Sequence, residues 1–233
     1  MYAAKKGVFG FLVNVYMKVG PPCPNMVELY MARKCRWGVL RVVGGELHLQ
    51  EADAVVTPAN NRLSGREGID SQIHKAAGEE LREFCRGVSV EQRKSNLPPC
   101  PVTTNVVSKP YNLENKFKHI IHVVSPDCRR PNQDEARRSL LPTAYENLFA
   151  TLKDLKDVKV VAAPPLSMGV FAYPHREGAR LTLECLLGIL DGKDDPGIKE
   201  YNIIVKERNF IKNMRTVYRE SEDQLPGIDT TME

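Results

Sequence analysis

The residues whose types could support chemistry are concentrated between positions 54 and 85. A short apolar run at 54–56 leads through a polar, glycine-containing loop at 60–68 into a predicted helix that begins at about Asp70. Apolar residues at steps of three and four give this helix one buried face: Ile73, Ala77, Leu81 and Phe84. Backbone N–H groups at the start of a helix lack partners within it and can hold an anion such as phosphate. The stretch is therefore a candidate nucleotide site, although many joints of this kind bind no ligand.

Two side chains in this stretch place an amide and a carboxylate ten residues apart, Asn60 and Asp70. From its local sequence alone, Asp70 is well placed to cap the helix that follows, which is a frequent use of aspartate. Asn60 is equally well placed to stabilise its own loop through an Asx-turn. A carboxylate beside a phosphate site can also hold and polarise a water molecule, as a hydrolase requires. The structural and chemical roles can coexist, and both are open at this point.

The elements that must position this stretch alternate between strand and helix. We expect strands at 37–43, 54–56, 103–107, 119–124, 158–163 and 201–205. We expect helices at 70–87, 134–152, 175–190 and 210–217. A nearly uncharged strand such as 158–163 is typical of a sheet that is covered on both faces. The alternation predicts an α/β fold, a three-layer α/β/α sandwich with a mixed, mostly parallel central sheet, whose ligand sites lie at the carboxyl ends of the strands.

The length of 233 residues suits one α/β domain. We assign this domain to residues 37–220. We expect residues 1–36 to be an N-terminal extension of unclear role and residues 221–233 to be a flexible acidic tail. The apolar run at 8–19 resembles part of a signal peptide, but no small-residue cleavage site follows it. We therefore expect an extra packing element or a tag-like extension there.

The composition excludes several classes of protein. No apolar run approaches the ~18 residues that span a bilayer, so we expect no membrane association. The net charge of +4 is mild and typical of a solvated surface. The six cysteines form no CxxC pair, which favours reduced thiols in the cytoplasm or nucleus. His119 and His122 lie three apart on a predicted strand and face opposite ways, so they cannot chelate a metal.

The first stretch resembles the first ligand loop of the macro domain family, V-N-A-A-N-x-x-L-x-G-G-G-G-V-D-x-x-I-H-x-A-A-G-x-x-L. The positions that agree fall in register without a gap: Ala59, Asn60, Leu63, Gly65, Gly68, Ile69, Asp70, Ile73, His74, Ala76, Ala77 and Gly78. Residues 164–174 resemble the family's loop P-x-x-S-T-G-I/V-F/Y-G-Y-P. Residues 111–126 resemble its segment Y-N-L…K-Y-V-I-H-x-V-G-P. The resemblance implies a macro domain fold with ADP-ribose as its ligand.

The resemblance also implies roles for individual residues. In the hydrolytic branch of the family, the equivalent of Asn60 holds the distal ribose and the equivalent of Asp70 orients a water molecule near the linkage, so we expect these two to be catalytic. The second loop would wrap the diphosphate with backbone N–H groups, and its expected contacts are Ser167, Met168, Gly169, Val170 and Phe171. The remaining expected ligand contacts are Glu46, Leu47, Ala59, Gly68 and Ile69. Glu46 stands where the family's aspartate accepts a hydrogen bond from adenine, and the ring of Phe171 would pack against the distal ribose.

Several residues depart from the family pattern. Arg66 and Glu67 replace the middle two glycines, so we expect Arg66 either to clamp the diphosphate or to pair with Glu67. Ala172 replaces a glycine of the second loop, which would tilt the loop if that position needs a positive φ. The first loop has neither Cys nor His between Asn60 and Ile73, and we expect no metal.

The function implied by the resemblance is binding of ADP-ribose and hydrolysis of mono-ADP-ribose from carboxylate side chains of modified proteins. Within the family, the substrate could instead be O-acetyl-ADP-ribose or ADP-ribose 1″-phosphate. A non-catalytic reader of ADP-ribosylated proteins is the alternative from another class. We expect mono-ADP-ribosylated proteins as partners, a monomer and no cofactor. The mild basicity is also compatible with weak binding to poly-ADP-ribose or RNA.

Overall fold

A computed structural model of the chain describes residues 28–93, 98–129 and 139–220. Its strands are β1 (Glu28–Lys34), β2 (Val39–Gly44), β3 (Ala54–Pro58), β4 (Asn105–Ser108), β5 (His119–Val123), β6 (Val160–Ala163) and β7 (Glu200–Val205). Its helices are α1 (Gly68–Ala77), α2 (Glu79–Arg93), α3 (Leu140–Asp154), α4 (His175–Leu190) and α5 (Arg208–Glu220). Short 3-10 turns at Leu47–Leu49 and Tyr111–Leu113 follow β2 and β4.

The strands form a seven-stranded sheet in the order β1-β2-β7-β6-β3-β5-β4. The five inner strands run parallel to one another. The outer strands β1 and β4 are antiparallel to their neighbours. The structure therefore confirms the predicted mixed, mostly parallel sheet. The parallel arrangement brings the carboxyl ends of β3, β5, β6 and β7 to the same edge of the sheet.

Two helix layers cover the faces of this sheet. Consecutive strand residues point to opposite faces, and Val55 and Val56 accordingly belong to different cores. Val55 packs with residues of α1 and α2, whereas Val56 packs with residues of α3, α4 and α5. Both side chains are fully buried. The predicted three-layer α/β/α sandwich is confirmed.

The structure adds one strand that the sequence patterns did not predict. β1 lies inside the segment that we assigned to an N-terminal extension, and it pairs antiparallel with β2 from Glu28 opposite Gly44 to Lys34 opposite Val39. Because β1 is an edge strand with largely exposed or half-buried residues, it lacks the apolar pattern of the inner strands. The sheet therefore begins before residue 37. The apolar run at 8–19 and the tail at 221–233 lie outside the described residues.

The single helix predicted at 70–87 is wrong in one respect, because the structure has two helices that meet at Gly78. Gly78 has φ = +94°, and a Cβ atom built on it would lie 2.5 Å from Asn112 Nδ2. A side chain here would be strained by the backbone and would collide with the 3-10 turn after β4. The apolar pattern continues across the break and therefore hides it. The start predicted at residue 134 for α3 lies outside the described residues, and α3 begins at Leu140.

The described part of the chain has no helix long and apolar enough to cross a membrane. Its five cysteines form no disulfide bond within the described residues: Cys35, Cys85, Cys100, Cys128 and Cys185.

Candidate functional site

A cleft of about 360 Å³ opens at the carboxyl edge of the parallel strands. It lies between the loop that follows β3, the loop that follows β6 and the turn that follows β7. It brings together most of the residues that the sequence analysis selected: Asn60, Gly68, Ile69, Asp70, Ser167, Met168, Gly169, Val170 and Phe171. Its volume is within the range of small-molecule sites, about 300–1,000 Å³.

Asn60 holds the first loop in shape. Its Oδ1 accepts hydrogen bonds from the backbone N–H groups of Arg62 at 3.0 Å and Ser64 at 3.3 Å. Its Nδ2 donates to Ser64 Oγ at 2.6 Å. This is the Asx-type arrangement that the local sequence suggests, and it fixes the turn after β3. The same side chain lines the cleft, so the loop-stabilising role and contact with a ligand are compatible.

Asp70 lies in the first turn of α1 and does not cap it, because Glu67 occupies the N-cap position. The capping role considered for Asp70 is therefore wrong. Its Oδ1 accepts a hydrogen bond from Thr57 Oγ1 at 2.8 Å, and the carboxylate also accepts one from the N–H of Gly65. Burial raises the pKa of Asp70 to about 6, and these two hydrogen bonds oppose the shift. The result is a buried carboxyl group at the wall of a cleft.

The loop after β6 presents its backbone to the cleft. The N–H of Ala172 bonds to the carbonyl of Gly169 at 2.9 Å, and the N–H of Tyr173 bonds to the carbonyl of Ser167 at 3.0 Å. Ser167 and Ala172 have φ angles of +64° and +52°. A Cβ atom built on Gly169 would meet nothing within 4 Å. Ala172 thus adopts the left-handed conformation that the replaced glycine would adopt more easily.

The side chains of the same loop divide between the core and the cleft. Met168 is buried, and a Cβ atom built on Gly178 of α4 would lie 2.6 Å from its Sδ. Ser167 is also buried, and its Oγ has no hydrogen-bond partner among the described residues although it borders the cleft. A buried hydroxyl without a partner is available to a ligand. Met168 stands where the family pattern has Thr, and its buried side chain leaves contact with a ligand to the backbone of the loop.

The two loops touch where the cleft narrows. Gly68 has φ = +56°, and a Cβ atom built on it would lie 3.0 Å from Val170 Cγ2. On the outer side, Arg129 lies over the ring of Phe171, with its guanidinium carbon 5.5 Å from the ring centre. Arg129 Nη1 also lies 3.9 Å from a carboxylate oxygen of Glu67. Glu67 therefore pairs with Arg129, and the expected pairing with Arg66 is not what the structure shows.

Three of the selected residues do not line this cleft: Glu46, Leu47 and Ala59. Leu47 and Ala59 are buried in the core on the α1 side. Glu46 forms an ion pair with Lys206, which itself borders the cleft. Glu46 is thus next to the site, but its carboxylate is engaged by a cation.

The starts of α4 and α5 supply cleft residues that the motifs do not contain. Phe210 and His175 line the cleft together, with ring centres 6.2 Å apart in an edge-to-face arrangement. His175 Nε2 donates to the carbonyl of Met168 at 2.9 Å. From the sequence, Phe210 was expected only as the start of a helix at 210–217. Its position in the first turn of the helix that follows a parallel strand was the signal that could have identified it.

A second and larger groove, about 1230 Å³, lies on the other side of the first loop. Asn60 and Glu67 line both the groove and the cleft. The groove carries five cationic side chains: Arg62, Arg66, Lys75, Arg82 and Arg86. We call it the basic groove. Arg66 lies in this groove, so its side chain is not placed as a clamp inside the cleft.

The two histidines of β5 face opposite ways, as strand alternation predicts. His119 Nε2 lies 3.0 Å from a carboxylate oxygen of Asp157, whereas His122 is buried and its Nε2 lies 3.1 Å from Ser108 Oγ. They cannot share a metal. Within the described residues, one other group of side chains has the composition and spacing of metal ligands: His74, Cys85 and His122.

Known proteins with similar sequences and folds place this cleft in context. A model of the macro domain matches residues 56–182. The chain is 33% identical over 188 residues to a macro domain-containing protein of Caldanaerobacter subterraneus, covering 80% of this chain and 97% of that protein. It is 30% identical over 190 residues to a Cronobacter sakazakii protein named O-acetyl-ADP-ribose deacetylase, covering 82% of this chain and 98% of that protein.

The fold is also similar to solved structures. The Oceanobacillus iheyensis macrodomain with ADP superimposes with a TM-score of 0.73 at 22% identity, covering 85% of this chain and 99% of that chain. Both loops of the cleft fall inside the region that the family model covers, whereas β1, β2 and β7 lie outside it. The sequence match, the relatives and the architecture agree, and the chain belongs to the macro domain family.

Proposed function

We propose that this chain binds ADP-ribose in the cleft and releases mono-ADP-ribose from carboxylate side chains of modified proteins. The observation that carries the proposal is the placement of Asp70. Its carboxylate is held by Thr57 at the wall of a cleft whose other wall is a loop that presents backbone and glycine. Similar proteins support the ligand, since one solved relative is a Trypanosoma brucei macrodomain in complex with ADP-ribose. Another relative is named as an O-acetyl-ADP-ribose deacetylase.

The cleft offers a separate environment for each part of ADP-ribose. Phe210 and Ile204 form an apolar end that suits an adenine ring. The loop at 165–171 offers backbone N–H groups and the unpartnered hydroxyl of Ser167 to the diphosphate. Asn60, Asp70 and Phe171 also line the cleft, and we assign them to the distal ribose.

The proposed reaction is hydrolysis of the ester between the distal ribose and a protein carboxylate. The Asp70 carboxylate would hold a water molecule and accept a proton from it as the water oxygen attacks. Attack on the ester carbonyl or on the anomeric carbon breaks the ester and yields the same products, free ADP-ribose and the regenerated carboxylic acid. The backbone N–H groups of the second loop would keep the diphosphate, and hence the ester, in a fixed position.

Free O-acetyl-ADP-ribose is the second candidate substrate, because it carries the same kind of ester and the named relatives favour it. The basic groove favours a protein substrate. It adjoins the cleft at Asn60 and Glu67, where the group leaving the distal ribose would emerge. Acetate does not need a groove of about 1230 Å³, whereas a polypeptide with acidic residues around the modified carboxylate would fit one lined with cations.

The decisive experiment is an ADP-ribose titration by calorimetry, with AMP and ATP as controls, run beside a release assay on a glutamate-mono-ADP-ribosylated protein. We expect selective ADP-ribose binding and release by the wild-type chain. Asp70→Asn should keep binding and lower release by about 10²–10⁴-fold, since it retains the shape and removes the base. Gly169→Glu should abolish binding, because it directs a carboxylate toward the diphosphate.

Each outcome assigns a different function. Binding without release by the wild-type chain would make it a reader and would refute the hydrolase proposal. Release that proceeds at the wild-type rate in Asp70→Asn would refute the role of Asp70. Turnover of O-acetyl-ADP-ribose without turnover of the modified protein would select the second candidate.

A further inference from the structure

Three metal-ligating side chains meet behind the first loop. His74 comes from α1, Cys85 from α2 and His122 from β5, and one ligand atom from each lies within 4.8 Å of the other two. All three side chains are almost fully buried, with exposures of 1%, 3% and 0%. The group is not part of the cleft, whose lining contains none of the three.

The imidazole nitrogens of this group lack hydrogen-bond partners. Both ring nitrogens of His74 and Nδ1 of His122 are buried and unpaired within the described residues. Asp70 Oδ1 lies 3.7 Å from His74 Nε2, which is too far for a hydrogen bond. Each unsatisfied buried polar group costs about 1–3 kcal/mol. Three such nitrogens beside one thiol are a set of donor atoms that a bound metal would satisfy.

A hydrogen bond to Ser108 orients the imidazole of His122. His122 Nε2 lies 3.1 Å from Ser108 Oγ, which is itself buried. A hydrogen bond donated by Nε2 leaves Nδ1, which is buried and unpaired, with the lone pair that a metal would take. Metal-binding histidines are commonly held in this way by a second hydrogen bond at the other ring nitrogen.

We propose that His74, Cys85 and His122 bind a divalent transition metal of the zinc class. Two imidazoles and one thiolate are typical zinc ligands, and a tetrahedral ion would bring their ligand atoms to about 3.5 Å from one another. The three ligand atoms lie within 4.8 Å of one another in the structure. They would therefore move closer together by about 1 Å when the metal binds. On binding, the Cys85 thiol forms a bond to the metal and releases its proton to solvent.

The basic groove gives the metal a route to this site. His74 and Cys85 both line the groove, so a hydrated ion can approach and exchange its water for these ligands. The fourth position of the metal would face the groove and carry water. The bound metal links α1, α2 and β5 directly behind Gly65, whose Cβ position lies 2.3 Å from the ring of His74. It would therefore stabilise the first loop from behind, independently of any ADP-ribose in the cleft.

The expectation of no metal was based on the first loop and on the spacing of His119 and His122. Neither argument considers a cysteine that α2 brings from a later part of the chain. The three ligands are separated by 11 and 37 residues in sequence, so no short motif contains them. The fold brings them together.

The test is titration of chelator-treated full-length protein with Co²⁺, followed by visible absorption, and with Zn²⁺ in competition with a chromogenic chelator. We expect one equivalent of Co²⁺ to bind with the absorption of a tetrahedral thiolate site, and Zn²⁺ to displace it. Cys85→Ala should remove the thiolate band and the stoichiometric binding. Cys185→Ala, which removes a half-buried thiol on α4, should leave both unchanged.

Thermal unfolding with and without Zn²⁺ gives a second readout that does not depend on activity. Zn²⁺ should raise the Tm of the wild-type and Cys185→Ala proteins and leave that of Cys85→Ala unchanged. His122→Gln provides a further variant should Cys85→Ala fold poorly, and it should also lose the stoichiometric site. Absence of stoichiometric Co²⁺ binding, or a thiolate band that survives in Cys85→Ala, would overturn the proposal.

Discussion

At the residue scale, the position of the Asp70 carboxylate depends on a neighbouring hydroxyl. Thr57 is fully buried, and its Oγ1 donates to Asp70 Oδ1 at 2.8 Å. Thr57→Val keeps the shape of the side chain and removes the donor. A hydrogen bond to a charged group contributes about 1.5–3 kcal/mol, which corresponds to about tenfold to a hundredfold in rate. We expect Thr57→Val to lower the release rate by that factor and to leave ADP-ribose affinity unchanged.

The matched control is Thr57→Ser, which retains the hydroxyl and should restore most of the release rate. Release kinetics and calorimetric affinity, measured on the same preparations, separate positioning of Asp70 from damage to the cleft. Wild-type release by Thr57→Val would show that the hydroxyl does not position the carboxylate. Equal losses in the Val and Ser variants would assign the effect to packing.

Ala172 provides a second prediction at the residue scale. Its φ of +52° is unfavourable for a residue with a Cβ atom, and glycine adopts it without this strain. We expect Ala172→Gly to increase the free energy of unfolding by about 1 kcal/mol, since the relief of strain exceeds the added entropy of the unfolded chain. Urea unfolding measures the change.

Ala150→Gly is the control for Ala172→Gly. Ala150 is exposed on α3, where the same substitution should destabilise the protein by about 1 kcal/mol. Opposite signs for the two substitutions would support the strain at Ala172. Destabilisation by both substitutions would mean that Ala172 adopts its positive φ without significant strain.

At the scale of elements, the sequence predicted what local patterns encode. The inner strands were predictable because they are apolar on both faces, and the two cleft loops because each is a continuous motif. β1 was missed because an edge strand does not need buried residues on both faces. The break at Gly78 was missed because the apolar pattern continues across it, and because the contact with Asn112 that requires glycine there joins residues far apart in sequence.

The same reasoning explains which site residues escaped prediction. Phe210 lines the cleft, and Arg129 packs on Phe171 at its outer side, from elements that carry no recognisable motif. Their positions follow from how α5 and the segment after β5 dock on the edge of the sheet. Conversely, Leu47 was selected by its position beside Glu46 and Ala59 as a residue of the first motif, and the fold turns both into the core. A motif locates a segment, whereas the direction of each side chain depends on packing.

The basic groove yields a prediction for α2. Arg82 and Arg86 line the groove from this helix and are outside the first loop. We expect the double substitution Arg82→Glu, Arg86→Glu to raise the KM for an acidic mono-ADP-ribosylated protein by about fivefold to tenfold at low salt. The effect should shrink at high salt, and turnover of O-acetyl-ADP-ribose should be unchanged because acetate does not reach the groove.

Arg180→Glu is the control for the groove, because Arg180 is exposed on α4 and pairs with Glu184. Steady-state kinetics with both substrates at two salt concentrations provide the measurement. An equal loss with both substrates would locate the effect in the cleft itself. An unchanged KM for the acidic protein would show that the groove does not contact the substrate.

At the scale of the whole molecule, the cleft and a set of side-chain contacts that connect neighbouring strands lie at opposite edges of the sheet. The cleft occupies the carboxyl edge of the parallel strands, whereas Asp53 lies at the opposite edge, just before β3. Its Oδ2 accepts hydrogen bonds from the N–H groups of Lys159 and Val160, each at 2.8 Å. Its Oδ1 lies 2.8 Å from Lys118 Nζ. One carboxylate thus connects the start of β3 with the starts of β5 and β6.

The pKa of Asp53 determines the pH range in which its carboxylate makes these hydrogen bonds. Burial alone would raise the pKa, but the hydrogen bonds from Lys118, Lys159 and Val160 outweigh it and lower the pKa. A carboxyl group with a lowered pKa in the folded state stabilises the protein above its unfolded pKa of about 3.9. That stabilisation is lost as the pH falls through the folded pKa. The contribution should therefore be complete at neutral pH and absent in strong acid.

Asp53→Ala tests this dependence. At pH 7 we expect it to lower the free energy of unfolding by about 1–3 kcal/mol, because it leaves backbone N–H groups at the start of β6 without their acceptor. The difference from wild type should begin to shrink as the pH falls below about 4, where the unfolded chain takes up the proton, and should reach its minimum below the lowered folded pKa. Urea unfolding at pH 7, 5 and 3.5 gives the profile. Asp194→Ala, in an exposed loop, should change stability by less than about 0.5 kcal/mol at each pH. A difference for Asp53→Ala that stays constant with pH would mean that its shape, and not its charge, connects the strands.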